Sequence, residues 1–173
     1  PNSVNTLAIR GFLEKRVSRI LSTVTIDGNL PGLRISNLQY YFLYKFFLSF
    51  FYLFSQIRSA LEGYCAVQLA ERYDTAEAQR VFHAMESLLR DQDAIASTTG
   101  DAEEFTRYDT EFHQRLVYSL NNSVISETFD ALHYQLKQQT YLSLLVEGRM
   151  KQTVAEHKEM LDNMKNGHVR GSY

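Results

Sequence analysis

The sequence is short of the residues that interrupt helices and of those that cross-link chains. Proline occurs only twice in 173 residues, at Pro1 and Pro31. From about Phe54 onward every residue therefore keeps its backbone N–H donor, and long uninterrupted helices are open to it. A single cysteine, Cys65, excludes an internal disulfide and a zinc cage built on thiolates. Charge of one sign is not in excess: 18 basic against 20 acidic residues leave a net charge of -2. That balance excludes a whole-chain attraction to nucleic acid and leaves room only for a local basic patch. No basic start followed by an apolar run opens the chain, so no secretory leader is expected, and a reducing, cytoplasmic setting fits.

Long hydrophobic runs are also scarce. The one that approaches a membrane span is NLQYYFLYKFFLSFFYLF, Asn37 to Phe54, with Lys45 as its only charge. Crossing the bilayer takes about 20 apolar residues. This run is marginal in length and rich in tyrosine, which favours interfaces, so a buried or dimer-interface helix is expected and no membrane association.

What is present is core material and helical spacing. Hydrophobic residues make up 45% and aromatics 13%, enough for one large domain or one domain with a small appendage. IRSALEGYCAVQLAERY sets Ile57, Ala60, Leu61, Tyr64, Cys65, Val67 and Leu69 on a broad apolar stripe. Thr75 is the expected N-cap of a helix carrying Ala78, Val81, Phe82, Met85, Leu88 and Leu89 on one face. Phe105, Tyr108, Phe112, Leu116 and Leu120 continue the spacing in a third segment, and two further segments come after it. Gly100, the pair Asn121-Asn122 and Gly148 punctuate them. The expected fold class is all-α, an antiparallel helical bundle over residues 53–173, preceded by a separate segment over residues 1–52.

The stretch RYDTEFHQRL places Asp109 and His113 one helical turn apart, among residues with core character. At that spacing a carboxylate oxygen and an imidazole nitrogen can meet one divalent cation. Two donors are too few for a tight site, and His157, mid-helix near Val154 and Met160, is the best third. Zinc or nickel suits such a nitrogen-rich set better than magnesium. The alternative is a core hydrogen bond between Asp109 and His113, and both readings stand at this level.

Three motifs in order bear on the choice. They are Ile57-Arg58 with Leu61-Glu62; Phe105, Asp109, Phe112 and His113 followed by Asn122; and Glu156-His157 with Arg149 upstream. Together they resemble the FCD ligand-binding domain of FadR-type regulators in the GntR superfamily. The resemblance implies a helical bundle holding a divalent metal and a small organic acid effector. It matches Asp109, His113 and His157 to three metal ligands and Arg58 to a position that can face the effector. A salt bridge from Arg58 to a glutamate is the competing reading. The family's fourth ligand, a histidine, would fall beyond Tyr173, and His168 stands too early for it.

Residues 1–52 resemble the opening of the family's winged helix-turn-helix only in part. VSRILSTVTIDGNLPGLRIS supplies a helix, a turn and an extended piece, but no recognition helix comes after them, so DNA-contacting residues stay unknown. The resemblance implies a metabolite-responsive regulator, not an enzyme, acting as a homodimer on operator DNA. Two other classes compete: a metal-dependent hydrolase using Glu156 or Glu111 as base, and a dimeric interaction protein that binds no DNA.

Overall fold

The computed structural model describes residues 37–168, with side chains described at residue 49 and over residues 52–168. The winged-helix-like reading of residues 1–36, and the side chains of most of the aromatic run, lie outside the described residues. The chain divides into two units, Pro1–Lys45 and Phe46–Tyr173, and the packed core belongs to the second.

Five helices are described: α1 (Asn37–Ala70), α2 (Ala76–Ser97), α3 (Ala102–Tyr118), α4 (Ser123–Leu144) and α5 (Arg149–Lys165). Connections of four or five residues join them, and among the described residues α2 packs against α3 and α5, and α3 against α4. There is no strand among the described residues, and the fold is the all-α bundle that the spacing predicts. No helix among the described residues is long and apolar enough to cross a membrane.

Local chemistry sets the helix ends. Thr75 Oγ1 accepts from the Ala78 amide at 3.2 Å, and Asn122 Oδ1 from that of Ile125 at 3.2 Å. Asp101 Oδ1 accepts from Glu103 and Glu104 at 2.9 and 3.0 Å. Each cap satisfies amides that the first turn leaves without partners. Gly100, Asn121 and Gly148 take positive φ between the helices, a conformation that glycine and asparagine adopt most readily.

The core has two apolar clusters. The larger joins Cys65, Leu69, Phe82, Met85, Phe112, Leu116, Phe129, Leu161 and Met164, contributed by all five helices. The smaller holds Ile95, Ala102, Phe105 and Leu144, with Val154 packed against it. Between them runs a polar layer. Along α2 the order is Leu88, Gln92, Ile95; along α3 it is Phe105, Asp109, Phe112; along α5 it is Val154, His157, Leu161. The polar groups thus sit with apolar packing on both sides, where water is excluded and electrostatic interactions are strong.

The α1 stripe is narrower than its sequence suggests. Cys65, Ala66, Leu69 and Ala70 are buried, but Ile57 and Tyr64 are 41% and 52% exposed, and Ala60 is exposed too. The bundle covers only the face of α1 centred on Cys65 and Leu69, and the flank carrying Ile57 and Tyr64 faces outward.

Candidate metal centre

Asp109 and His113 share the inward face of α3 with Phe105, Phe112 and Leu116, so packing of the phenylalanines carries both polar groups into the interior. His157 arrives from α5, between Thr153 and Leu161 on that helix's buried face. One donor atom from each of the three residues lies within 4.8 Å of the others. His157 Nε2 is 3.7 Å from Asp109 Oδ1, and His113 Nε2 is 3.9 Å from the same oxygen. The imidazoles meet edge to face, their centroids 4.9 Å apart. Phe112 stacks on His157 at 4.3 Å and holds that ring in place.

Neighbouring side chains fix which nitrogen each ring presents. Gln92 Oε1 lies 2.8 Å from His157 Nδ1. A carbonyl oxygen only accepts, so Nδ1 carries the proton and Nε2 turns a bare lone pair toward Asp109. Glu62 Oε1 lies 3.3 Å from His113 Nδ1, an ion-pair distance that falls short of hydrogen-bond geometry. That carboxylate favours a proton on Nδ1 and leaves Nε2 on the Asp109 side. Both rings therefore present Nε2 to one carboxylate oxygen, with their outer nitrogens held by an amide and a carboxylate. Metal-binding histidines are oriented by this kind of outer partner.

Charge in the layer is uneven. Burial pushes the Asp109 carboxyl above its ordinary range, against the pull of His113 and Arg58. Burial opposes charge on His113 as well, but Glu62 and Asp109 outweigh it and raise its pKa. For Glu62 burial is again the largest influence, yet His113 and Arg58 together bring its pKa below the usual value. His157 goes well below its ordinary value, through burial and then the positive His113, Arg149 and Arg58. Its Nε2 is therefore free of a proton at neutral pH. A bare Nε2 facing a buried carboxylate sets two acceptors against each other, an arrangement that a cation relieves. Three donors from carboxylate and imidazole suit a zinc-like ion, whose bonds of about 2.0–2.2 Å put ligands roughly 3.4 Å apart. The donor set fits, and the two histidine–Asp109 separations of 3.7 and 3.9 Å are already close to that spacing.

Arg58 makes the salt bridge to a glutamate that is one of its two expected roles. Its Nε lies 3.3 Å from Glu62 Oε1, one turn along α1, yet that glutamate is the partner of His113 and the pair is largely buried beside the site. Glu156 and Glu111 instead turn outward, to Arg149 at 3.0 Å and Arg107 at 3.6 Å, which leaves neither placed as a base for the hydrolase reading. His83 is exposed beside Glu86, and His168 is exposed beyond the end of α5. Sequence reasoning missed Gln92 and His133. A glutamine three residues past Leu89 on the apolar face of α2 was the available signal; His133 had none.

The FCD domain family model matches residues 54–173. No curated protein and no solved structure gives a significant match. The match spans the four helices α2 to α5 and the inner part of α1, and with them every residue of the polar layer. This chain belongs to the FCD domain family, the effector-binding domain of GntR-type transcription regulators.

Proposed function

We propose that the bundle holds a divalent metal, zinc or nickel, on Asp109, His113 and His157, and binds a small organic acid beside it. One observation carries this reading. Among the described residues, seven buried side-chain atoms have no hydrogen-bond partner. Six belong to residues of this layer or acting on it: Arg58, Glu62, Gln92, His113, His133 and Arg149. Arg58 Nε and His113 Nδ1 keep ion-pair distance to Glu62 Oε1 at 3.3 Å each, whereas a buried atom left without any partner costs about 1–3 kcal/mol, so the atoms on Gln92, His133 and Arg149 favour a polar ligand there. When bound, the metal would act as a Lewis acid toward the ligand's carboxylate. Arg58 supplies a second positive group, suited to a carboxylate by its planar fork.

The regulator acts in the cytoplasm as a homodimer on operator DNA, and effector binding shifts the population between two dimer arrangements. The test is calorimetric titration of the zinc-loaded chain with succinate, malate and other small acids. Saturable binding supports the reading; no binding by any acid with zinc or nickel present ends it.

Two expectations accompany it. Arg58→Ala weakens binding of those acids about ten- to hundredfold, the worth of a charge-assisted hydrogen bond, while the fold and the metal stay. Unchanged affinity would reduce Arg58 to a partner of Glu62. In light scattering the chain should elute at twice its 20.0 kDa at micromolar concentration. A monomer across that range would remove the dimer from the mechanism.

A further inference from the structure

His133 lies on α4, buried to 6% exposure, and packs on Phe129 with ring centroids 5.6 Å apart. Its Nε2 is 2.9 Å from Thr110 Oγ1, and that hydroxyl is 2.8 Å from the Thr106 carbonyl one turn back on α3. A hydroxyl has one proton to give. With the Thr110 proton bonded to the Thr106 carbonyl, the hydroxyl accepts from His133. Nε2 therefore carries the ring proton. Burial, with Arg58 and His113 nearby, holds the His133 pKa down to about 4, so the ring is neutral at physiological pH. A neutral ring protonated at Nε2 has a bare acceptor at Nδ1, and this atom is buried with no hydrogen-bond partner. The chain thus keeps an oriented, buried acceptor within electrostatic reach of the Arg58–Glu62 pair.

We infer that His133 is a specificity residue of the effector site, whose Nδ1 accepts a hydrogen bond from a hydroxyl group on the bound acid. The inference rests on the carboxylate reading above and narrows it to hydroxylated acids. The donor is a hydroxyl and not an ammonium, because Arg58 and His113 already place positive charge around this ring. Thr110 is the positioning residue: it acts on the ligand only by fixing the proton on Nε2. An acid lacking a donor leaves the buried Nδ1 unpaired, and such sites discriminate against analogues that lack the matching group.

The test uses the zinc-loaded full chain and matched acids differing by one hydroxyl: malate against succinate, and glycerate against 3-hydroxypropionate. In at least one pair the acid with the additional hydroxyl binds about tenfold tighter, the worth of one hydrogen bond. His133→Leu abolishes that preference while the deoxy partner keeps its affinity. Thr110→Val, which frees the ring to change tautomer, reduces the preference with His133 still present. Nitrogen NMR of the free protein at neutral pH reads the ring directly, with the proton on Nε2 in the wild type. On adding malate, the Nδ1 signal moves as an accepting nitrogen does. Equal binding within every pair, a preference that survives His133→Leu, or a proton found on Nδ1 overturns the inference alone. Failure of every acid to bind overturns the carboxylate reading first.

Discussion

Replacing His157 by alanine should bring the metal content of the purified protein from about one ion per chain to almost none, with His113→Ala and Asp109→Asn behaving alike. The three donors come from two helices and meet at one carboxylate oxygen, so losing any one leaves two, too few to hold the ion. His168→Ala, altering an exposed residue past α5, should leave the content unchanged and serves as the control. Binding to the folded chain alone adds about 2.7 kcal/mol at a hundredfold excess over Kd. For a chain of this size that raises Tm by roughly 5–10 °C, and the variants should lose the increment.

The pH dependence has a definite sign. His157 is already deprotonated at neutral pH, whereas His113, raised above its ordinary value by Glu62 and Asp109, carries its proton further into the neutral range. The metal must displace that proton, so affinity falls as pH drops and the fall begins above about 6.5, the ordinary histidine value. Without metal the two histidines act in opposite directions on stability. The His113 contribution is fully present below about 6.5 and is lost as pH rises through its folded value. His157 favours the fold above about 6.5 and ceases to do so as pH falls toward its folded value. Metal analysis after dialysis against zinc, repeated across pH 5.5 to 8, is the measurement. Equal metal in wild type and His157→Ala would leave the layer as a network of polar groups and no more.

Phe112→Ala should be the most damaging single change in the bundle, costing about 3–5 kcal/mol. The ring is fully buried in the larger cluster, and its face lies against His157. Truncation opens a cavity and removes the wall against which that imidazole is oriented. Urea unfolding should show the loss, with a Tm lower by roughly 10 °C or more. Phe112→Leu separates the two roles. It keeps most of the volume, so stability should fall by less than about 1.5 kcal/mol, but the stacking surface is gone and metal affinity should still drop. A loss below about 1 kcal/mol for the alanine variant would mean that α3 does not pack as described.

Helix ends and the inward faces of α2 and α3 were readable from the sequence, because caps and periodicity act within a few residues. Thr75 caps α2 through an amide three residues away, and Gly100, Asn121 and Gly148 mark breaks by backbone conformations available to few residues. The Asp109–His113 pair was legible for the same reason, since one helical turn fixes the face. His157 was named as a third donor from its mid-helix apolar surroundings, and the motif resemblance added Arg58 as an expectation. Tertiary structure alone decided what these residues touch. His157 meets Gln92, which is 65 positions away in sequence, and no local spacing encodes that hydrogen bond. Glu62 lies beside both Arg58 and His113 because α1 and α3 pack together, so a pair that reads as an ordinary i, i+4 salt bridge becomes part of a buried site. The outward turn of Ile57 and Tyr64 has the same origin: apolar spacing shows which residues can be covered, and the packing of neighbouring helices determines which are. The His133 contact lies furthest from the sequence, since its ring meets the Thr110 hydroxyl, 23 positions away, only once α3 and α4 are side by side.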